Sequence, residues 1–193
     1  MKHGSGPGEP HQNGAYKAQK KLTTAVRGHK LLKDKRDELM RQFLDLVREN
    51  MALRQKVEDG IRSANLNFVI ARAGMSEQAL NTALMAPKQE VYLEAGKKNI
   101  MSVDIPVFEY KTRTASEHDI YPYGFAFTSS DLDGAVKSLQ DVLPEMLKLA
   151  QTEKACQLMA AEIEKIQTRV NALEHVIIPE TQRNIKYNYH EAG

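Results

Sequence analysis

Residues 32–53 have the sequence LKDKRDELMRQFLDLVRENMAL, and this stretch decides the fold. An apolar residue recurs at every seventh position, at Leu32, Leu39, Leu46 and Leu53. A repeat of this period holds one stripe of a helix against a partner helix and is typical of coiled coils. With Leu22 set as position a, the four leucines are d positions, and the polar residues His29, Arg36 and Asn50 fall at a positions.

A second apolar stripe lies near the other end of the chain, where residues recur at alternating steps of three and four. The two stripes predict one seam, formed by Leu32, Leu39, Phe43, Leu46, Asn50 and Leu53 on the first helix and by Cys156, Met159, Ile163, Ile166, Val170, Leu173 and Ile177 on the second. The intervening segment includes a predicted hairpin, which returns the chain. We therefore expect a long antiparallel two-helix coiled coil in a mainly α protein.

Composition agrees with long two-sided helices rather than a thick globular core. Among 193 residues there is no tryptophan, aromatic residues make up 6% and charged residues 27%. The single cysteine excludes an internal disulfide framework and favours a reducing, cytoplasmic setting. No apolar run approaches the ~18 residues that a membrane span needs, and the first residues lack the apolar core of a signal peptide.

Changes in composition divide the chain into five segments. Residues 1–15, rich in glycine and proline, predict a disordered or tag-like tail. Residues 16–74 predict the first coiled-coil helix, and residues 75–130 a short helix followed by a β-hairpin and an irregular cap. Residues 131–187 predict the second coiled-coil helix, with Ser130 as its N-cap and kinks near Pro144 and Pro179. Residues 188–193 complete the chain as a second tail.

The predicted hairpin has strands at residues 90–94 and 100–105. The turn is expected over residues 95–99, because Gly96 and Asn99 suit a turn, and Pro106 is expected to end the second strand. Its apolar positions are Val91, Leu93, Ile100, Val103 and Ile105.

No group of residues has the spacing of a catalytic, cofactor-binding or metal site. His29 has no second ligand three or four residues away, so a polar residue that sets the seam register is favoured over a metal ligand. Asn50 fits the same role, with simple solvent exposure as the alternative. Cys156 lies on the apolar stripe without a nearby histidine and predicts a packed thiol.

The first turns of helix one are strongly basic, and this admits three interpretations. The basic residues nearest the leucine repeat are Arg27, His29, Lys30, Lys33, Lys35 and Arg36. They fit a solvated face, a docking surface for acidic loops of a partner, or the basic region of a zipper that binds DNA. A tethering coiled coil is a further possibility, although it gives no reason for the aromatic middle segment.

Four stretches of the sequence resemble one known family. Residues 21–39 (KLTTAVRGHKLLKDKRDEL) resemble the N-terminal signature of the D subunit of the V-type and A-type rotary ATPases. Residues 98–103 (KNIMSV), with Pro106, are similar to that family's hairpin. Residues 143–156 and 169–174 (RVNALE), the latter followed by Pro179, are similar to its return helix. The resemblance covers about residues 20–187 and is greatest to bacterial V-type forms.

The resemblance implies a non-catalytic rotor shaft without a cofactor. In that family, the D subunit turns inside the A3B3 catalytic head, binds the F subunit, and sits on the d (or C) subunit above the membrane ring. It implies torque transmission between ATP hydrolysis or synthesis and the translocation of Na⁺ or H⁺. The protein would then lie in the cytoplasm, peripheral to the membrane through the complex, without direct membrane insertion and without nucleic acid.

Overall fold

The computed structural model describes residues 10–113, 119–124 and 128–190. It is mainly helical with a small two-stranded antiparallel sheet, which confirms the predicted fold class. The elements in chain order are α1 (Pro10–Gly74), α2 (Glu77–Leu84), β1 (Glu90–Ile100), β2 (Val103–Arg113), α3 (Ser130–Ala172), a π-helical turn (Leu173–Ile177, hereafter the π turn) and α4 (Ile178–His190). No described helix carries an apolar stretch long enough to cross a lipid bilayer.

The chain divides into two compact units. The first comprises the chain up to Gln42 together with the residues from Ala160 onward, and the second comprises Phe43–Met159. In each unit, residues of α1 pack against residues of the return helix, which consists of α3, the π turn and α4. The second unit also contains α2 and the hairpin.

The packed face of α1 follows the heptad pattern in both units. In the first unit Ala25 and Leu39 are buried, and in the second unit the buried a and d positions are Leu53, Val57, Ala64 and Ala71. The return helix supplies the opposite half, with Ile163, Ile166 and Val170 in the first unit and Ala155 and Met159 in the second. Burial of this stripe is the main source of stability for the helices, because a helix gains more from packing an apolar face than from propensity.

Prolines bear on the predicted extent of both long helices. Helix α1 begins at Pro10, before the predicted start at residue 16, since a proline in the first turn loses no intrahelical hydrogen bond. The expected tail over residues 1–9 lies outside the described residues. Pro144 lies within α3, which continues past it to Ala172. Pro179 is the second residue of α4 and follows the π turn.

The hairpin turn lies at Met101 and Ser102, so the predicted turn over residues 95–99 is wrong. Gly96 and Lys97 belong to β1, where they pair with Val107 and Pro106 of β2. Met101 and Ser102 have φ angles of 50° and 71°, and two successive positive φ angles match the right-handed twist of a tight hairpin.

The turn is stabilised by Asn99, which the sequence had placed in the turn and which lies just before it. Its Oδ1 accepts a hydrogen bond from the Ser102 N–H at 3.2 Å, and its Nδ2 donates to Asp104 Oδ1 at 2.6 Å. Asparagine favours turns because its side chain can bond the backbone of the turn that it precedes.

Pro106 lies inside β2 rather than at its end, which corrects the second boundary of the hairpin. Strand β2 continues to Arg113, opposite Glu90. A two-stranded sheet has only edge strands, so a proline is tolerated where its missing N–H would face away from the partner strand.

The cap of α3 is one residue earlier than predicted. The Ser129 Oγ accepts a hydrogen bond from the Asp131 N–H at 3.2 Å, whereas Ser130 is the first helical residue. Helix α2 begins in the same way, because the Ser76 Oγ accepts from the Ala79 N–H at 3.2 Å. Serine at the N-cap satisfies a backbone N–H that has no intrahelical partner.

Candidate protein interaction site

Six basic residues of α1 in the first unit form the predicted contact surface, and the structure separates them into two sets. Arg27, Lys30 and Lys33 are exposed, and none has an ion pair within the described part of the chain. The other three are half-buried because they lie at or beside a positions, where the return helix covers them.

The half-buried set connects α1 to the return helix. His29 Nε2 lies 3.4 Å from Glu174 Oε2 of the π turn, and Lys35 Nζ lies 4.0 Å from Glu162 Oε1 of α3. Arg36 Nη1 donates a hydrogen bond to Gln167 Oε1 at 2.8 Å.

These three contacts are unlike those of an apolar seam, since each requires a particular partner residue at a particular position along the helix axis. Polar residues at a positions fix register and partner choice in coiled coils. The three partners of His29, Lys35 and Arg36 carried no signal in the sequence, because exposed Glu and Gln are common on any helix.

Most of the predicted seam residues lie between the helices. Leu39, Leu53, Met159, Ile163, Ile166 and Val170 are buried. Leu32, Phe43, Leu46, Asn50, Cys156 and Leu173 are half-buried. Ile177 differs from both groups, because 37% of its surface is exposed.

Two polar residues of the seam lie close together in the second unit. Asn50, Arg54 and Cys156 line a depression of about 300 Å³, and the Asn50 Nδ2 is buried without a hydrogen-bond partner among the residues described. Burial raises the pKa of the Cys156 thiol, and the nearby carboxylates of Glu153 and Glu49 raise it further. The thiol is therefore protonated and unreactive at neutral pH, as expected for a packed cysteine.

The exposure of Ile177 follows from a register shift at the π turn. Up to Leu173 the covered positions of the return helix follow the predicted spacing, which would next reach residues 177, 180 and 184. The covered residues are instead Ile178, Thr181 and Ile185, each one position later. A π turn holds one extra residue, and the Ile178 N–H donates to the Leu173 carbonyl five residues back.

Pro179 gives a physical reason for the π turn. Its ring clashes with the carbonyl four residues earlier and its nitrogen has no hydrogen, so a regular α-helix is disfavoured at this point. The wider turn removes the clash, and Thr181 Oγ1 donates to the Ile177 carbonyl at 2.7 Å. The proline was the sequence signal for this joint, but the direction of the register change was not readable from it.

The predicted hairpin residues near the turn are covered, whereas those at the far end of the strands are exposed. Val103 and Ile105 are buried and Ile100 is half-buried, whereas 40% of Val91 and 48% of Leu93 are exposed. The Phe108 N–H donates to Gln151 Oε1 at 2.8 Å, which fastens β2 to α3 within the second unit.

The residues described contain no group of His, Cys, Asp or Glu that is arranged to hold a metal ion. One titratable contact of the middle segment joins Tyr123 to Asp133 of α3, with the tyrosine hydroxyl donating at 2.8 Å. Burial and that carboxylate raise the pKa of Tyr123 well above its ordinary value, so the hydroxyl serves as a hydrogen-bond donor. The polar contacts described above thus hold helices and strands together.

A family model for the D subunit of ATP synthase matches residues 15–187. This range includes both paired helices, the hairpin and the basic segment. The chain belongs to the ATP synthase D-subunit family. The resemblance found in the sequence is thereby confirmed, over nearly the same residues.

Several relatives are similar to this chain over most of its length. The V-type ATP synthase D subunit of Acetivibrio thermocellus is 58% identical over 169 residues, which are 88% of this chain and 76% of the relative. The V-type ATP synthase D subunit of Clostridioides difficile is 55% identical over the same shares of both chains. That of Clostridium botulinum strain Alaska E43 is 52% identical over 172 residues, 89% of this chain and 81% of the relative.

Proposed function

We propose that this chain is the central-stalk rotor shaft of a V/A-type ATPase and has no catalytic activity of its own. It transmits torque between ATP hydrolysis or synthesis in the head of A and B subunits and the translocation of Na⁺ or H⁺ through the membrane ring. The observation that carries the proposal is the family match over residues 15–187. As part of such a complex, the protein is peripheral to the membrane.

The contacts between the paired helices support this function. A shaft made of two helices transmits torque only if the helices do not slide past each other. Interlocked apolar side chains oppose sliding by their packing, and directional contacts add to this because each has one partner. In the first unit Arg36 bonds Gln167, and in the second unit Asn67 Nδ2 donates to Ser138 Oγ at 2.9 Å.

The second unit has further pairs of this kind. Arg54 pairs with Glu153, and Lys148 Nζ lies 3.1 Å from Glu49 Oε1. Such exposed pairs contribute little to stability, about 0–1 kcal/mol each. Charged pairs beside a coiled-coil seam instead influence which partner and orientation the helices adopt.

The exposed basic residues Arg27, Lys30 and Lys33 are the proposed contact with the catalytic head. Three cations without carboxylate partners among the described residues suit acidic loops of a ring that turns around them. His29, Lys35 and Arg36, which the sequence also suggested for this contact, serve it indirectly by fixing α1 against the return helix. The F subunit and the d (or C) subunit complete the proposed set of partners.

Reconstitution tests the proposed function. Purified chain is mixed with A and B subunits from a V-type enzyme, with and without the F subunit, and analysed by size-exclusion chromatography. We expect the chain to join the A–B ring and to bind the F subunit, while ATP turnover by the chain alone stays at background. Failure of the chain to enter either complex would remove the proposal.

The zipper alternative is less well supported by the contacts of α1. In each unit the a and d positions of α1 face the return helix of the same chain, so they are not free to pair with a second copy. A DNA-binding zipper would show affinity for DNA that falls steeply with salt. We expect no such binding at physiological salt.

A further inference from the structure

Strand β1 has one edge that the described residues leave uncovered. Every residue from Glu90 to Asn99 is exposed, and within the described part of the chain β2 is the one strand that pairs with β1. Strand β2 differs, because Gln151 of α3 contacts its outer edge. An uncovered edge eleven residues long is a template for a further strand.

Two observations establish which residues of β1 direct their backbone groups outward. The turn holds two residues, so Ile100 and Val103 beside it exchange hydrogen bonds, and every second pair along the ladder does the same. The Phe108 N–H donates to Gln151, so Phe108 and its partner Ala95 form a pair without mutual hydrogen bonds. Both observations lead to the same set of residues with N–H and C=O groups directed away from β2. We call this set the outer edge of β1; it consists of Val91, Leu93, Ala95, Lys97 and Asn99.

The sequence of β1 is complementary to itself when two copies run antiparallel about Gly96. Gly96 then lies opposite Gly96 of the second copy, and Glu94 lies opposite Lys98 on each side of it. Two residues further out, Tyr92 lies opposite Ile100. Opposite charges, and an aromatic residue beside a β-branched one, are favourable cross-strand pairs.

The same register aligns the backbone groups of the two outer edges. Ala95 lies opposite Lys97 of the second copy, and both direct their N–H and C=O groups at the partner. Leu93 and Asn99 form the next pair of this kind. Gly96 takes a position without mutual hydrogen bonds, where opposing Cα atoms are about 4.5 Å apart. A residue without a side chain suits this close approach.

Neighbouring registers lack this complementarity of charge. The backbone groups also align when the pairing is centred on Glu94, Ala95 or Lys97. A centre at Glu94 or Lys97 places two like charges directly opposite each other, which is destabilising. A centre at Ala95 places no acidic residue opposite a lysine. Of these four centres, only Gly96 pairs opposite charges without opposing like ones.

We propose that the outer edge of β1 binds the outer edge of β1 in a second copy of this chain. The two hairpins form one four-stranded antiparallel sheet around a two-fold axis at Gly96. Glu94 Oε1 also lies 3.5 Å from Lys111 Nζ of its own chain, and a carboxylate with two oxygens accepts both lysines. The contact is small, so the dimer exchanges with the monomer. This inference goes beyond the rotor function and does not depend on it.

Sedimentation velocity of the full chain tests the association. We expect a dimer whose fraction rises with protein concentration. Lys98→Glu is expected to weaken dimerisation roughly tenfold, because two carboxylates then meet, and the added change Glu94→Lys should restore it. Lys56→Glu, an equal change of charge at an exposed residue of α1, is the matched control and should leave the dimer unchanged. A monomer at every concentration would overturn the proposal.

A backbone variant tests the edge without a change of charge. Ala95→Pro removes an outward N–H and leaves the hydrogen bonds between β1 and β2 complete. We expect the dimer to be lost, while helix content by circular dichroism and the amide protection of the hairpin remain. A dimer that persists in both Ala95→Pro and Lys98→Glu would come from another surface and would overturn the proposal.

A disulfide tests the register. In a chain with Cys156→Ala, Gly96→Cys places two thiols opposite each other at a Cα separation that a disulfide spans. A Cβ at Gly96 comes no closer than 3.6 Å to its own hairpin, at the Val107 carbonyl oxygen, so the hairpin tolerates it. We expect mild oxidation to give a covalent dimer.

Lys98→Cys in the same background is the matched control for the disulfide. Its two thiols lie four residues apart along the paired strands, about 13 Å, which is too far for a disulfide. A covalent dimer from Lys98→Cys but not from Gly96→Cys would overturn the proposed pairing. A chain that joins the A–B ring but never dimerises would remove the dimer and leave the rotor function in place.

Discussion

At the residue scale, the d position at Gly60 shows how closely the two helices approach in the second unit. An alanine Cβ built at Gly60 would overlap the Cγ2 of Val142 on α3, which is itself buried. Valine has one strongly preferred χ1 rotamer in a helix, so the side chain has little freedom to withdraw. At this level of the paired helices, the close packing of α1 against α3 therefore depends on the absence of a side chain at Gly60.

Substitution of two α1 glycines should therefore have opposite effects. Gly60→Ala is expected to destabilise the chain by about 1–3 kcal/mol through overpacking, despite the better helix propensity of alanine. Gly28→Ala is the matched control, because nothing lies within 4 Å of a Cβ placed there, and it should stabilise by up to ~1 kcal/mol. Urea unfolding followed by circular dichroism measures both, and destabilisation by the two substitutions alike would contradict the argument.

Cys156 is a second residue whose environment predicts a measurable property. Because burial raises the pKa of its thiol, less thiolate is present near pH 8 in the folded chain than in the unfolded chain. We expect alkylation by iodoacetamide at pH 8 to be markedly slower in buffer than in denaturing urea. A raised pKa of this kind gives stability that is complete below the ordinary thiol pKa and is lost as pH rises through the folded pKa. Equal alkylation rates in the two states would show an exposed thiol.

At the element scale, the π turn makes the return helix tolerant of a deletion in one place only. Removal of the exposed His175 leaves four residues in that turn. When Pro179→Ala is made as well, so that no proline ring meets the carbonyl four residues earlier, the helix can continue as a regular α-helix with Ile178, Thr181 and Ile185 still facing α1. Removal of the exposed Ala161, in the middle of α3, instead rotates one side of the seam by about 100° relative to the other.

We expect the Ala161 deletion to be less stable by several kcal/mol than the His175 deletion with Pro179→Ala, since the Ala161 deletion exposes part of an apolar stripe and the His175 deletion does not. With Pro179 retained, the His175 deletion should have a lower melting temperature than the double variant, because the closed turn restores the clash of the proline ring. Thermal unfolding of the three variants gives the comparison. If the His175 deletion with Pro179→Ala lowered the melting temperature as much as the Ala161 deletion, the extra residue would be required for folding.

The hairpin allows a second test at the element scale, because the backbone conformation of its turn favours particular residues. Met101 and Ser102 adopt positive φ angles that cost a residue with a Cβ about 1–2 kcal/mol, less for a short polar residue. Met101→Asn with Ser102→Gly is therefore expected to stabilise the hairpin by roughly 1 kcal/mol. The same pair placed at Lys97 and Lys98, inside β1, should destabilise it. Amide hydrogen exchange of the strands reports on both, and stabilisation at the second location would revive a turn at residues 95–99.

At the scale of the whole molecule, the exposed basic residues give a prediction for the assembled complex. Lys30→Glu with Lys33→Glu is expected to weaken binding to the A–B ring or to lower coupled ATP turnover, because repulsion replaces attraction to acidic loops. Helix content should be unchanged, since both side chains are exposed. Lys35→Gln is the contrasting variant, because its amine faces Glu162 of the same chain. If the unaltered chain and both variants had equal affinity for the ring and equal ATP turnover, Arg27, Lys30 and Lys33 would not form the contact with the head.

Much of this molecule was predictable from the sequence because a seven-residue period is a strong and long-range signal. The leucine repeat predicted α1, its packed face and the pairing with the return helix. The hairpin strands were predictable in place but not in length, because Gly96 and Pro106 are common turn and end signals, and only the pairing of the two strands shows them inside the sheet. The partners of His29, Lys35 and Arg36 required the structure, since a seam pattern does not give the relative height of two helices.

The extra residue of the π turn also bears on how this protein is engineered. Crosslinks between paired helices are usually planned by carrying heptad letters forward along the chain. Letters carried forward from α3 across Leu173 would name Ile177 as facing α1, whereas Ile178 occupies that place. A cysteine pair designed on those letters would point about 100° away from its intended mate. The heptad positions of α4 must therefore be assigned again from Thr181 before crosslinks or spectroscopic labels are placed there. The assignment used for α3 does not extend to α4.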